Sequence, residues 1–349
     1  MRPDHRLGVS DIEPGLPTGV GTGIGSMPGT QPREAIRVAA GELDLPFLPE
    51  LPARGVGADM IGRTGALLVE LPVDMVHRAY RLADHPNTTT RRAADWLRWD
   101  LDALEEHWET TGLTGTGVVK VQACGPLTFA ANVELRGGHK IVKDRGAVRD
   151  VAASLTEGLR NHIAEVRRRL GARVVVQLDE PDVGRVIDGT VTPLTRLDPI
   201  RPVAAPDAAE LLQQMIDALG VPVLLHSCGR PRWDLTGRLE RVALSLDVTG
   251  LRPDRDYDAL GAFIDSGGVL AAGLIPTAEP PGPVDAESLA GRLTETVDRI
   301  GLPRRILRDN LLVTPTCGLA SATPAWAARA LTLASEVASG LAADPDFGN

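Results

Sequence analysis

The sequence predicts an α/β fold, a (β/α)8 TIM barrel in a single domain, from two observations. Short apolar, β-branched runs recur eight times along the 349 residues with helical stretches between most of them, the pattern of a parallel sheet built from βα units. The chemically interesting residues collect at the C-terminal ends of those runs, which share one face in a barrel. A doubly wound open sheet is the main rival.

In chain order the runs are "TGVGTGIGS" (18–26), "LDLPFLPEL" (43–51), "GVVKVQACG" (117–125), "ARVVVQLDEP" (172–181), "VPVLLHSCG" (221–229), "RVALSLDV" (241–248), "GVLAAGLIP" (268–276) and "NLLVTPTCG" (310–318). Apolar periodicity predicts helices over 91–112, which carries three tryptophans, and over 146–170, 207–219, 285–300 and 324–342. Thr323 stands as N-cap of the last one and Pro324 at its first position, where a missing N–H costs nothing. The proline-rich stretch 275–284 reads as a rigid loop leaving the seventh strand. Residues 1–16 read as a flexible N-terminal arm, and 17–349 as the barrel.

A 43% hydrophobic and 24% charged chain suits a globular protein, and no stretch approaches about 18 uninterrupted apolar residues, so no membrane span is expected. "MRPDHRLGVSDIEPG" lacks the apolar h-region of a secretion signal, which predicts a cytoplasmic location. A net charge of -9, scattered basic residues and 3% aromatics disfavour a nucleic-acid partner. "GTGIGS" (21–26) is G-x-G-x-G rather than G-x-G-x-x-G, and no phosphate loop of the usual kinds occurs. Three widely spaced cysteines make no disulfide framework; they remain packing residues, nucleophiles or ligands.

The strand ends carry Ser26, Glu50, Cys124, Asp179 with Glu180, His226 with Cys228, Asp247, and Cys317. An extended strand sends residues i and i+2 to one side, so His226 and Cys228 can converge on a single object. With Cys317 they form a donor set suited to zinc, a borderline-soft ion that takes imidazole and thiolate in tetrahedral geometry. Asp247, at the end of the next strand, is the candidate for a fourth, displaceable ligand. Thiolate donors quench the ion's Lewis acidity, so such a site suits activating a thiol for S-alkylation better than making hydroxide. Cys124 reads as a small packing residue.

The motifs "IGSMPGT", "LPELPARG", "CGPLT", "VQLDEP", "HSCG" and "TPTCGLAS", in this order over about 300 residues, resemble the catalytic, C-terminal barrel of cobalamin-independent methionine synthase. The resemblance implies a zinc-dependent methyltransferase that moves a methyl group from methyltetrahydrofolate to homocysteine. It also implies His226, Cys228 and Cys317 as zinc ligands, with Asp247 where the family has a glutamate one methylene longer. Ile24, Gly25 and Ser26 match the segment that holds the homocysteine carboxylate. Asp179 matches the carboxylate that takes its amino group, with Glu50 assisting.

Two departures concern the methyl donor. The family's N-terminal barrel has no counterpart in these residues, and the family's proton-transfer histidine after the seventh strand is lacking, since no histidine follows position 226. A methylated corrinoid on a partner protein would meet both departures, because its methyl leaves without protonation of a nitrogen. Competing readings are a barrel like the uroporphyrinogen decarboxylases, which would leave the three ligands without purpose, another zinc-dependent thiol alkyltransferase, and a non-catalytic barrel that binds zinc or homocysteine.

Overall fold

The structure is a computed structural model that describes residues 15–348. The expected arm thus lies, up to residue 14, outside the described residues; Leu16 packs against the inner core. In chain order the elements are β1 (Val20–Gly21), α1 (Pro32–Glu42), α2 (Met60–Gly65), β2 (Val73–Val76), β3 (Ala79–Leu82), α3 (Thr88–Thr110), β4 (Val118–Cys124), α4 (Pro126–Asn132), α5 (Arg145–Leu170) and β5 (Arg173–Asp179). There follow α6 (Val183–Asp188), α7 (Ala205–Leu219), β6 (Val223–Ser227), α8 (Trp233–Thr236), β7 (Val242–Asp247), α9 (Pro253–Asp265), β8 (Leu270–Ile275), α10 (Ala286–Ile300), α11 (Ile306–Asp309), β9 (Leu311–Pro315) and α12 (Pro324–Ala343).

Seven strands form one curled parallel sheet in the order β1-β9-β8-β7-β6-β5-β4. The α/β class and the parallel βα alternation are as predicted, but eight hydrogen-bonded strands are not. The second predicted strand contributes only isolated parallel bridges, Phe47 to Lys120 on one side and Ser26 to Glu50 on the other. Residues 46–50 thereby lie between the two edge strands, with Leu48 N–H donating to the Lys120 carbonyl (3.0 Å) and Glu50 N–H to the Gly25 carbonyl (3.0 Å). The reason is chemical: Pro46 and Pro49 have no N–H, so this stretch cannot sustain a ladder. The antiparallel hairpin β2–β3 was not foreseen, nor were α1 and α9.

The five predicted helices are α3, α5, α7, α10 and α12, with ends shifted by a turn or less. Thr323 caps α12 as expected, its Oγ1 accepting from Trp326 N–H at 3.1 Å. The N-cap of α5 is Asp144, whose Oδ1 accepts from Gly146 and Ala147 N–H, and the helix ends at Gly171 in the left-handed conformation (φ 64°) that favours glycine. After β8 the chain continues as a loop, and Trp326 Nε1 donates to the Pro276 carbonyl at 3.1 Å.

The main core lies between the sheet's outer face and the helices, and a smaller cluster fills the inner face: Leu45, Val175, Leu224, Ala243, Ala271 and Leu312. Two residues further along each strand, on the same face, stand Phe47, Gln177, His226, Ser245, Gly273 and Thr314, with Lys120 beside them on β4. The interior therefore turns from apolar to polar toward the strands' C-terminal ends. No helix among the described residues is long and apolar enough to cross a membrane.

Candidate metal centre and its polar surroundings

His226, Cys228 and Cys317 meet at the C-terminal end of the sheet, each offering a ligand atom within 4.8 Å of the others. The strand period places His226 and Cys228 on the same side, and β9 brings the Cys317 loop to them. His226 is buried; its Nδ1 lies 3.0 Å from Ser245 Oγ, while its Nε2 has no hydrogen-bond partner. A buried imidazole nitrogen left without a partner is costly unless something binds it. The two cysteines are half-buried. The neighbouring Cys228 thiol and then the His226 imidazole push Cys317 toward the thiolate, and the same proximity of the two sulfurs, with burial, pushes the Cys228 thiol up. An orphaned imidazole nitrogen facing two sulfurs, one of them readily ionised, fits zinc.

Asp247 stands at the end of β7 outside this cluster. Its Oδ1 accepts from Thr249 N–H (2.9 Å) and Thr249 Oγ1 (2.6 Å), capping the turn at 248–250.

Asp179 is the register partner of His226 on the adjacent strand. Burial pushes its carboxyl up to about 6, opposed by His226 and Lys120, and its Oδ1 accepts from Gln177 Nε2 at 2.7 Å. Glu50 is also buried and is pushed up to about 7, against the pull of Arg63, whose Nε lies 4.0 Å from Oε1. Arg63 is in turn held by Asp100, which also pairs with Arg54 at 2.8 Å. Glu50 Oε1 and Gln122 Oε1 both lack hydrogen-bond partners.

The Ile24 carbonyl accepts from Lys120 Nζ (3.1 Å) and Gln177 Nε2 (2.6 Å). Gly25 has φ +154°, and a Cβ there would stand 2.8 Å from Gln122 Cγ, so only glycine lets the segment pass so close. Among the described residues the Gly25 and Ser26 amides have no acceptor, while the Ser26 carbonyl accepts from Leu319 N–H at 2.8 Å. A Cβ on Gly318 would collide with Ser26 Oγ, which packs this segment against the Cys317 loop.

Glu180, beside Asp179, has a different task. Its carboxylate accepts from Leu127 N–H (2.9 Å), Thr128 N–H (2.7 Å) and Thr128 Oγ1 (2.7 Å), fastening the start of α4 to β5. The "CGPLT" and "LDEP" motifs are thus partners in space. Cys124 is fully buried in the main core, as its reading as a packing residue requires.

Sequence reasoning missed Lys120, Gln122, Gln177, Ser245 and Arg63. Period-two counting was available for three of them: Gln122, Gln177 and Ser245 stand two residues before Cys124, Asp179 and Asp247.

Residues 16–340 match the family described as "Cobalamin-independent synthase, Catalytic domain". Among solved structures, a B12-independent methionine synthase from Shewanella sp. W3-18-1, in complex with selenomethionine, superposes with a TM-score of 0.56 at 13% identity, over 92% of this chain and 97% of that one. A methyltransferase from Methanosarcina mazei gives a TM-score of 0.52 at 17% identity, over 95% of this chain and 93% of that one. These likenesses establish a shared fold. No curated protein matches the chain.

Proposed function

The chain belongs to the cobalamin-independent synthase catalytic-domain family, and from that membership we propose a zinc-dependent methyltransferase that moves a methyl group to the thiol of homocysteine, giving methionine. The observation that carries this reading is the buried, unpartnered Nε2 of His226 beside the sulfurs of Cys228 and Cys317. Zinc held there would lower the pKa of an incoming thiol and keep it nucleophilic at neutral pH. Asp247 is the candidate carboxylate that gives way to substrate sulfur.

The surrounding residues suit the rest of an amino acid. Asp179, oriented by Gln177, offers a carboxylate to the ammonium group, and Glu50 offers a second acceptor in Oε1. The free amides of Gly25 and Ser26 suit the substrate carboxylate. The Shewanella relative's complex with selenomethionine supports this choice, since methionine is the sulfur counterpart of that ligand. The methyl donor is methyltetrahydrofolate or a methylated corrinoid on a partner protein. The lack of any histidine after position 226 favours the corrinoid.

Zinc analysis of the purified protein, followed by turnover with homocysteine and each donor in turn, tests the proposal. Stoichiometric zinc and methionine formation are expected, and zinc-loaded protein that forms no methionine from either donor would overturn it. Zinc-edge spectroscopy tests Asp247, which is ruled out as a ligand if the spectrum is the same with and without homocysteine. The same missing histidine favours a second reading, a zinc barrel that binds homocysteine without transfer, and growth of a methionine auxotroph carrying the gene would exclude it.

A further inference from the structure

Lys120 is among the largest side chains that the fold buries completely. An ammonium removed from water is expensive, so its partners indicate its task. Among the described residues it has no ion-pair partner; Asp179 and Glu50 act on it only through space. Its Nζ donates to Gln177 Oε1 at 2.7 Å and to the Ile24 carbonyl at 3.1 Å, and lies 5.3 Å from the centre of the Phe47 ring.

A carboxamide has one accepting end and one donating end. With the oxygen of Gln177 fixed by the ammonium, its nitrogen must face the other way, and Nε2 donates to the Ile24 carbonyl (2.6 Å) and to Asp179 Oδ1 (2.7 Å). A free amide could flip; this one is held in one orientation by a cation that cannot accept a hydrogen bond. One buried charge thereby governs both the segment 24–26, which follows the edge strand β1, and the carboxylate of Asp179 on β5, which stands next to the other edge strand, β4.

We propose that Lys120 is a positioning residue for the amino-acid end of the substrate, acting through Gln177 without touching substrate itself. This rests on the homocysteine reading above. It assigns Lys120 to recognition of the ammonium and carboxylate groups and leaves the metal cluster independent of it.

The test compares two ligands on the zinc-loaded protein: homocysteine, and propanethiol, which has the thiol but neither charged group. Lys120→Met keeps the side chain's length and removes its charge. The variant should bind homocysteine about 10- to 100-fold more weakly, the cost of losing oriented charge-assisted hydrogen bonds, with zinc content and propanethiol affinity within about twofold of wild type. KM for homocysteine should rise with little change in kcat. Gln177→Met should do the same, and adding Lys120→Met to it should weaken homocysteine little further, because the two act in series. Where Lys120→Met does not fold, Gln177→Met alone carries the expectation. Equal weakening of both ligands, or unchanged homocysteine affinity, overturns the role of Lys120 only. Wild-type protein that binds zinc and propanethiol but not homocysteine overturns the functional reading, and this inference with it.

Discussion

His226 and Ser245 are register partners on adjacent parallel strands, and the imidazole Nδ1 lies 3.0 Å from the serine Oγ. The contact occupies one ring nitrogen and leaves the other, Nε2, without a partner in a residue that clusters with the two cysteine sulfurs. When Nε2 binds a metal, the ring proton sits on Nδ1 and is donated to the serine. Ser245→Ala removes that acceptor and should weaken zinc about 10- to 100-fold with the fold intact, as loss of a ligand's outer partner typically does. Competition against a chelator measures it, and unchanged affinity would show that the serine does not orient the ring.

On the proposed zinc reading, Cys228→Ser and Cys317→Ser should each lose most of the metal that the wild-type protein takes up. Neither cysteine is fully buried, so the substitutions should leave the far-ultraviolet circular dichroism unchanged. His226→Ala should behave likewise. Full zinc content in both serine variants would contradict the ligand assignment.

Glu180 accepts from three donors at the start of α4 and is fully buried. Glu180→Gln should destabilise the protein by about 2–3 kcal/mol, because a carboxamide nitrogen placed against N–H groups leaves buried donors unsatisfied. Gly125→Ala, whose added Cβ would run into the same carboxylate, should cost about 1–3 kcal/mol. Urea unfolding midpoints measure both. Midpoints equal to wild type would mean that α4 is held by packing alone.

His162, buried on α5, is pushed down to about 3 by desolvation, with Arg63 adding to the effect. The unfolded chain takes up a proton near 6.5 while the folded chain does so only near 3, so folding holds the ring neutral. Its contribution to stability is complete above 6.5 and is lost as pH falls from 6.5 through 3, on the order of a few kcal/mol. His162→Gln, which cannot protonate, should flatten the acid side of a plot of melting temperature against pH. Parallel curves for variant and wild type between pH 6.5 and 4 would rule out His162 as the source.

The sequence by itself determined the alternation of strand and helix, the capping of α12, and the three side chains that meet in the candidate metal cluster, because each is written in local periodicity or in residue chemistry. It also placed Ile24, Gly25, Ser26, Glu50 and Asp179 near that site, through strand ends that a parallel sheet must bring to one face. Whether the second run would form a ladder depended on how a stretch with two prolines met Ser26 on one side and the distant Lys120 on the other, and tertiary structure made it a pair of isolated bridges. Only the folded chain decided that Lys120 is buried, that Gln177 joins it to Asp179, and that Ser245 takes the second nitrogen of His226. Lys120 and Gln177 meet across strands 57 residues apart, and a lysine or glutamine in a strand has the same local propensity whether it faces water or the inner face of a curled sheet. Period-two alternation says which residues share a side; the closing of the sheet's curl decides what that side contains.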